Sequence, residues 1–233
     1  MPTYLYCILA ASGELPAAMP IGVSGTEITV LTAGPLAAWV ETVATRSLPP
    51  SLEAVRAHDA VVSAALASGT TPLPARFGQI FESDETCRAA LLERLPRMEH
   101  DLARVRGLVE MRIIARLARP REEAASVPAE GASPGTAYMR HLQRERAMEQ
   151  IVQATSAAVR RRLTETVGAF VRGEAVTLDP LPAAVLTLSH LVARDEVAAY
   201  RTAVNDAAPD PQVERLVVRG PVAPYQFVSA PHD

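Results

Sequence analysis

Residues 72–81 read Pro72-Leu73-Pro74-Ala75-Arg76-Phe77-Gly78-Gln79-Ile80-Phe81. The two prolines favour extended backbone, the apolar pair Ile80 and Phe81 seeks burial, and Gly78 stands where the chain bends or lets another backbone approach. Helical periodicity precedes the stretch and resumes after it, which predicts a core strand between two helices, entered through a Pro-x-Pro elbow. A buried guanidinium without a partner costs too much, so Arg76 is expected to pair, with Glu110 on a neighbouring strand as its carboxylate. On that reading Arg76 is a structural pin.

Upstream, Tyr4 to Ala10 is apolar on both alternating faces and predicts a central strand. A loop containing Gly13, Pro16, Pro20, Gly22 and Gly25 leads to a short strand over Glu27 to Thr32, and Gly34-Pro35 is read as the start of a helix around Trp39. Ser51 is placed to cap a helix ending at Ala67, with Val55, Val61, Val62 and Leu66 as its apolar positions and Gly69 as its stop.

Downstream, Ser83 followed by Asp84 and Glu85 marks a helix N-terminus, and Pro96 must kink or split the helix that follows. Val109, Met111, Ile113, Ala115 and Leu117 alternate with more polar neighbours, as a strand requires. The Pro-, Gly- and Ala-rich residues 119–135 read as a linker between an N-terminal α+β domain, 1–118, and a second one, 136–219. The second opens with a helix from Thr136 to about Val171, terminated by Gly173 and roughly 50 Å long at about 1.5 Å per residue. Strands at 175–178, 184–192 and 213–219 and a helix from Asp195 to about Ala207 complete it. Residues 220–233 form a Pro-stiffened apolar tail, unsuited to a central strand, whose Tyr225 and Phe227 need somewhere to be buried.

Composition narrows the chemistry. The chain has 233 residues, 48% of them hydrophobic and 21% charged, with net charge −3 and 23 basic residues that are all arginine. Without lysine, the usual phosphate-binding P-loop, a pyridoxal Schiff base and a protein-kinase site cannot be built. Cys7 and Cys87 fall in a strand and a helix pattern and read as buried small hydrophobes in a reducing, cytoplasmic setting. No 18-residue apolar run exists, and Met-Pro-Thr supplies no positive charge ahead of the first apolar stretch, so neither a membrane span nor a signal peptide is expected.

Candidate constellations are weak. His58, His100, His141, His190 and His232 never stand at metal-ligand spacing, so no metal and no cofactor are expected. Ser24 in Gly-Val-Ser-Gly lies in a loop and lacks the glycine spacing of a nucleophile elbow. Ser189 and His190 are adjacent on a strand and point to opposite faces. Arg160-Arg161-Arg162, with Arg140, Arg144 and Arg146, is interspersed with Glu145, Glu149 and Glu165 and reads as a self-paired helix face, not a nucleic-acid stripe. An enzyme on a ferredoxin-like scaffold, using Arg76 with Glu110 or His190 to process a small molecule or nucleotide, stays open as the alternative.

Several segments, in order and spacing, resemble the gas vesicle protein F/L family: Tyr4-Leu5-Tyr6, the stretch from Pro72 to Phe81, Gly135-Thr136-Ala137-Tyr138-Met139, Leu186 to Arg194, and Arg219-Gly220-Pro221-Val222-Ala223-Pro224-Tyr225-Gln226-Phe227. The family tail typically reads Gly-Pro-Trp-Pro-Pro-Tyr-x-Phe, and here Val222 and Ala223 replace the Trp and the first proline of the pair. The resemblance implies two α+β domains, each a small mixed sheet covered by helices, plus the tail. It also implies a non-enzymatic accessory protein of gas vesicle assembly that binds the small hydrophobic shell protein and other accessory proteins, at the gas-facing side or nucleating end. Nucleic acid and lipid membrane are not expected as partners. The signature candidates for partner binding or structure are Arg76, Phe77, Gly78, Tyr138, Gly220, Pro221, Pro224, Tyr225 and Phe227. The cleft between the domains and the tail are the expected contact.

Overall fold

The computed structural model describes residues 1–11, 19–118, 134–179, 184–207 and 210–228. The linker expected at 119–135 falls on 119–133, outside the described residues, save its last two positions. The chain is α+β, with a five-stranded and a four-stranded sheet packed with helices. It divides into two compact units: Met1–Met111 with Leu191–Asp195 and Gly220–Asp233, and Arg112–His190 with Glu196–Arg219.

In the first unit the central strand β1 (Thr3–Ala10) is buried along nearly all its length, as its two apolar faces predicted. On one edge it pairs antiparallel with β3 (Leu36–Thr42), which pairs antiparallel in turn with β2 (Thr29–Ala33). The helix expected around Trp39 is therefore a strand. Gly34, at φ +60°, and Pro35 turn a two-residue hairpin between the partners Ala33 and Leu36. A positive-φ glycine in the first central position is what such a tight turn needs, and Leu36–Glu41, buried on both faces, suits a central strand.

The other edge of β1 carries the stretch from Pro72 to Phe81, which is not one strand. β4 (Leu73–Pro74) pairs with Cys7 and Ile8, and β5 (Ile80–Phe81) pairs with Thr3 and Tyr4. Between them residues 75–79 bulge away from β1, with Gly78 at φ +83° as the bend. The ladder resumes on either side: the Ala75 N–H donates to Tyr6 O (2.8 Å), and the Leu5 N–H donates to Gln79 O (3.0 Å). The bulge puts Arg76 in solvent, so the expected buried pairing with Glu110 fails.

Helix α1 (Leu52–Ala67) starts as read: the Ala54 N–H donates to the Ser51 hydroxyl at 3.1 Å. Val61, Val62 and Leu66 are buried, but Val55 is exposed and His58 occupies the core face in its place. Helix α2 (Asp84–Glu93) has a capping box between Ser83 and Thr86, and helix α3 (Leu95–Val105) begins anew with Pro96 in its first turn. Proline split the helical pattern because the first turn tolerates its missing N–H and the interior does not.

Strand β6 (Leu108–Leu117) buries Val109, Met111, Ile113, Ala115 and Leu117, the expected face. Helix α4 (Pro134–Val167) starts two residues before the expected Thr136. It stops at a 3-10 turn over Gly168–Phe170, and Gly173, expected as the terminator, lies inside β7 (Val171–Asp179). Then come β8 (Val185–Ala193), α5 (Val197–Asp206) and β9 (Val213–Val222), and the second sheet is ordered β7-β8-β6-β9. β9 runs into the tail through Gly220 and Pro221. It does so at the sheet's edge, where prolines remove no ladder bond that matters. Val159, Leu163 and Val167 of α4, Leu186 and Leu188 of β8, and Tyr200 and Val204 of α5 are buried in the second unit.

Candidate functional site

The most conspicuous buried chemistry of the first unit is Glu41, a fully buried carboxylate on β3. No cation holds it. Neutral donors do: the Tyr6 hydroxyl, the Ser24 N–H (3.0 Å) and hydroxyl, and the Thr26 N–H (3.2 Å) and hydroxyl (2.7 Å). Burial alone pushes the Glu41 carboxyl up, and the hydrogen bonds from Ser24, Tyr6 and Thr26 more than reverse this, holding it below the usual carboxylate range. A Cβ on Gly22 would lie 2.3 Å from the carboxyl, so only glycine lets the 22–26 loop wrap this closely. Ser24, weighed above as a nucleophile, is a ligand of this carboxylate.

Beside it, Tyr4 bonds His58 Nδ1 through its hydroxyl (2.9 Å) and accepts the Gly78 N–H (3.1 Å). Tyr6 stacks on His58, and Phe77 meets both Tyr4 and His58 edge-on. Burial pushes His58 below its usual value and Tyr4 up to about 12, so both stay neutral near pH 7. The cluster fixes the 75–79 bulge by clasping Phe77 and Gly78 from beneath. It is closed to solvent, the character of a scaffold, with His58 Nε2 buried and without a hydrogen-bond partner among the described residues.

The open feature lies on the outer side of that bulge. A hollow of about 100 Å³ is floored by Leu5, Ile8, Leu73 and Leu91 and walled by Met98 of α3 and by Tyr225 and Val228 of the tail. Arg76, Arg94, Arg97 and Asp101 stand at its polar margin. The tail is fastened where it forms that wall. The Gln226 N–H donates to the buried Glu110 carboxylate (2.9 Å), and the Arg104 guanidinium, paired with Asp101 at 3.4 Å, donates to Phe227 O. Ala223 and Phe227 are buried and Tyr225 packs against the unit's core, so the tail does bury its aromatics. Gly220 is at φ +110°, and a Cβ there would come within 2.7 Å of Glu110 O and 2.9 Å of Met111 Sδ.

The second unit has its own buried group. His190 is fully buried, with Nδ1 against the Tyr200 hydroxyl (2.8 Å) and Nε2 against Glu174 (3.3 Å), and Glu174 is held in turn by Arg160. Burial lowers His190 despite Glu174, leaving it neutral. This resembles a catalytic relay on paper, but both ring nitrogens of His190 are taken up by Tyr200 and Glu174, and Glu174 is further held by Arg160 and the Thr164 hydroxyl (3.2 Å). The unit's hollow of about 780 Å³ is lined by other residues, among them Arg162, Leu163, Val204 and Leu216. Arg160 belongs to the arginine run read as a self-paired face, and its neighbour Arg162 pairs with Asp210 at 2.9 Å.

The structure thus sorts the sequence candidates. Arg76 and Tyr225 meet at the hollow; Phe77 and Gly78 belong to the bulge beneath it. Gly220 and Pro221 lead the tail in, with Pro224 and Phe227 buried along it. Tyr138 is exposed on α4 in the second unit. Sequence reading missed Arg94, Arg97, Asp101 and Arg104, although their spacing along the helix places them on one side of α3 and could have revealed them. It also missed that Arg194 caps α1, donating to Leu66 O (2.9 Å) and Thr70 O (3.1 Å). Among the described residues no group of acidic, His or Cys side chains is placed to hold a metal, and no helix is long and apolar enough to cross a membrane.

Comparison with known proteins agrees with these features. Over residues 2–229 the chain matches the family model described as "Gas vesicle synthesis protein GvpL/GvpF". It is 32% identical over 246 residues to Gas vesicle protein F of Streptomyces sp. (strain CB03234), covering 98% of this chain and 100% of that protein. Its fold is similar to two crystal structures of gas vesicle protein GvpF. The one from Anabaena sp. PCC7120 superposes with TM-score 0.80 at 16% identity, covering 98% of this chain and 96% of that one. The one from Microcystis aeruginosa gives TM-score 0.77 at 14% identity, covering 98% and 99%. A match that runs from the first strand to the tail, with a relative alike over its whole length, means that the chain belongs to the GvpL/GvpF family of gas vesicle synthesis proteins.

Proposed function

We propose that this chain is a non-enzymatic accessory protein of gas vesicle formation that binds the small hydrophobic shell protein, alongside other accessory proteins, and helps nucleate or assemble the vesicle wall. It acts in the cytoplasm, at the gas-facing side of the growing wall. The observation that carries the reading is the apolar hollow of the first unit, one wall of which is a tail held in place by Glu110 and Arg104. A shell subunit needs its apolar surface covered before it polymerises, and an apolar recess with a preformed rim covers such surface at little ordering cost. The titratable clusters support a non-enzymatic role, since Glu41, His58 and His190 are bonded into the scaffold.

Co-expression with the shell protein tests the reading. A tagged chain is expected to retain the shell protein in the soluble fraction and to capture it in a pull-down; no association would overturn the proposal. Placement at the gas-facing side predicts that intact vesicles shield the chain from added protease and that collapsed ones expose it.

A further inference from the structure

The hollow beneath the tail continues into a second, shallower one of about 420 Å³ along residues 76–81, and the two share Arg76, Gln79, Phe81, Ala90 and Arg94. We propose that this continuous groove docks a peptide segment of a protein partner in which one aliphatic side chain has a carboxylate beside it. The aliphatic side chain enters the deep hollow and the carboxylate lies between Arg76 and Arg94. On the function proposed above, on which this assignment rests, the segment belongs to the shell subunit.

Size, shape and charge each contribute. A cavity of about 150 Å³ is enough for one benzene molecule, so a hollow of about 100 Å³ lined by Leu5, Ile8, Leu73 and Leu91 suits a single aliphatic group. Two adjoining hollows that share a polar margin fit an extended chain better than a compact small molecule. The margin carries three arginines against one aspartate, and Asp101 is already engaged by Arg104. Among the described residues the guanidinium groups of Arg76 and Arg94 make no ion pair or hydrogen bond, in a protein whose net charge is −3. Several other arginines are paired, among them Arg46 with Glu82, Arg160 with Glu174 and Arg172 with Glu196. Arginine forks match a carboxylate bidentately, and positive potential at a groove mouth selects an acidic partner. A nucleic-acid strand is disfavoured because three cations are too few for a phosphate track and the deep hollow is aliphatic.

The test uses the full chain and fluorescein-labelled nine-residue peptides with the centres Glu-Leu-Glu, Gln-Leu-Gln and Glu-Ser-Glu, read by anisotropy at low salt. The first is expected to bind roughly tenfold tighter than either control. The variant Arg76→Gln/Arg94→Gln, with unchanged melting temperature, is expected to lose the preference for Glu-Leu-Glu over Gln-Leu-Gln. Equal binding of the three peptides, or a double variant that keeps the preference, overturns the groove. So does tight binding of an oligothymidylate 20-mer that the double variant abolishes. The shell-protein pull-down separates the two claims. If the wild type and the double variant capture shell protein equally, the groove assignment fails and the function stands. If the wild type captures none while the peptide preference holds, the function fails and the groove stands.

Discussion

Two sets of charges in the first unit lack a counter-charge among the described residues, Glu41 on one hand and Arg76 with Arg94 on the other, and the fold treats them oppositely. Glu41 has no cation among the described residues, yet a glycine-permitted loop and three side-chain hydroxyls satisfy it and shut it away from water. Arg76 and Arg94 also lack counter-charges among the described residues, but they stand at the open mouth of an apolar hollow. A buried ion is tolerated only when its hydrogen bonds are complete, whereas an exposed one is held ready by water and gives that water up to a partner. The contrast teaches that the buried polar cluster is architecture and the arginine margin is the working surface.

The comparison breaks first at Glu41. Replacing it with leucine strands the buried Tyr6 hydroxyl, at about 1–3 kcal/mol, and breaks the bonds from the exposed Ser24 and Thr26, at about 0.5–1.5 kcal/mol each, so a loss of about 3 kcal/mol is expected in chemical denaturation. A loss under about 1 kcal/mol would show that the cradle is not needed. Next comes Gly220→Ala, which places a Cβ against Glu110 O and forces φ +110° on a residue that avoids it. Backbone strain alone costs about 1–3 kcal/mol, and the tail residues 221–228 should become the first site of proteolysis. A tail as resistant as in the wild type would contradict the docking described.

A smaller effect concerns pH. His58 and His190 have folded values below the usual 6.5, so the unfolded chain binds more protons between those values and 6.5. Stability is therefore full above about pH 6.5 and falls as pH drops below it, and His58→Gln/His190→Gln should flatten that slope. Glu41 and Glu174, held below 4.5, add a second loss only at more acid pH. The smallest expected effect on stability is that of Arg76→Gln/Arg94→Gln, within about 0.5 kcal/mol of wild type. A larger drop in melting temperature would return Arg76 to the role of structural pin.

What was legible in the sequence followed local rules. Ser51 and Ser83 capped helices, Pro96 split one, and β1 and β6 declared themselves by uninterrupted or alternating apolar residues. What was not legible depended on partners distant in the chain. Nothing local says that Gly34-Pro35 turns a hairpin instead of opening a helix, since both residues suit both, and only the burial of Leu36–Glu41 between β1 and β2 decides it. The decapeptide 72–81 was read as one core strand, and its two ends do pair with β1, but a strand pattern does not disclose a bulge. Gly78 bends because Tyr4, 74 residues earlier, accepts its N–H, and that bend is what carries Arg76 out to solvent. Glu110 was correctly singled out and wrongly matched, because its partner is a backbone N–H of the tail 116 residues on. The working surface was visible only in fragments: Arg76 and Tyr225 by family resemblance, Arg94 and Arg97 not at all.

Hydrogen exchange of the full chain, with and without the shell protein in a soluble co-expressed complex, tests the central claim most directly. The account predicts new protection in residues 76–81, in 90–98 and in the tail around 225–228, with α4 around Tyr138 unchanged. Protection confined to α4 or to the second unit, with none along the arginine margin, would contradict it.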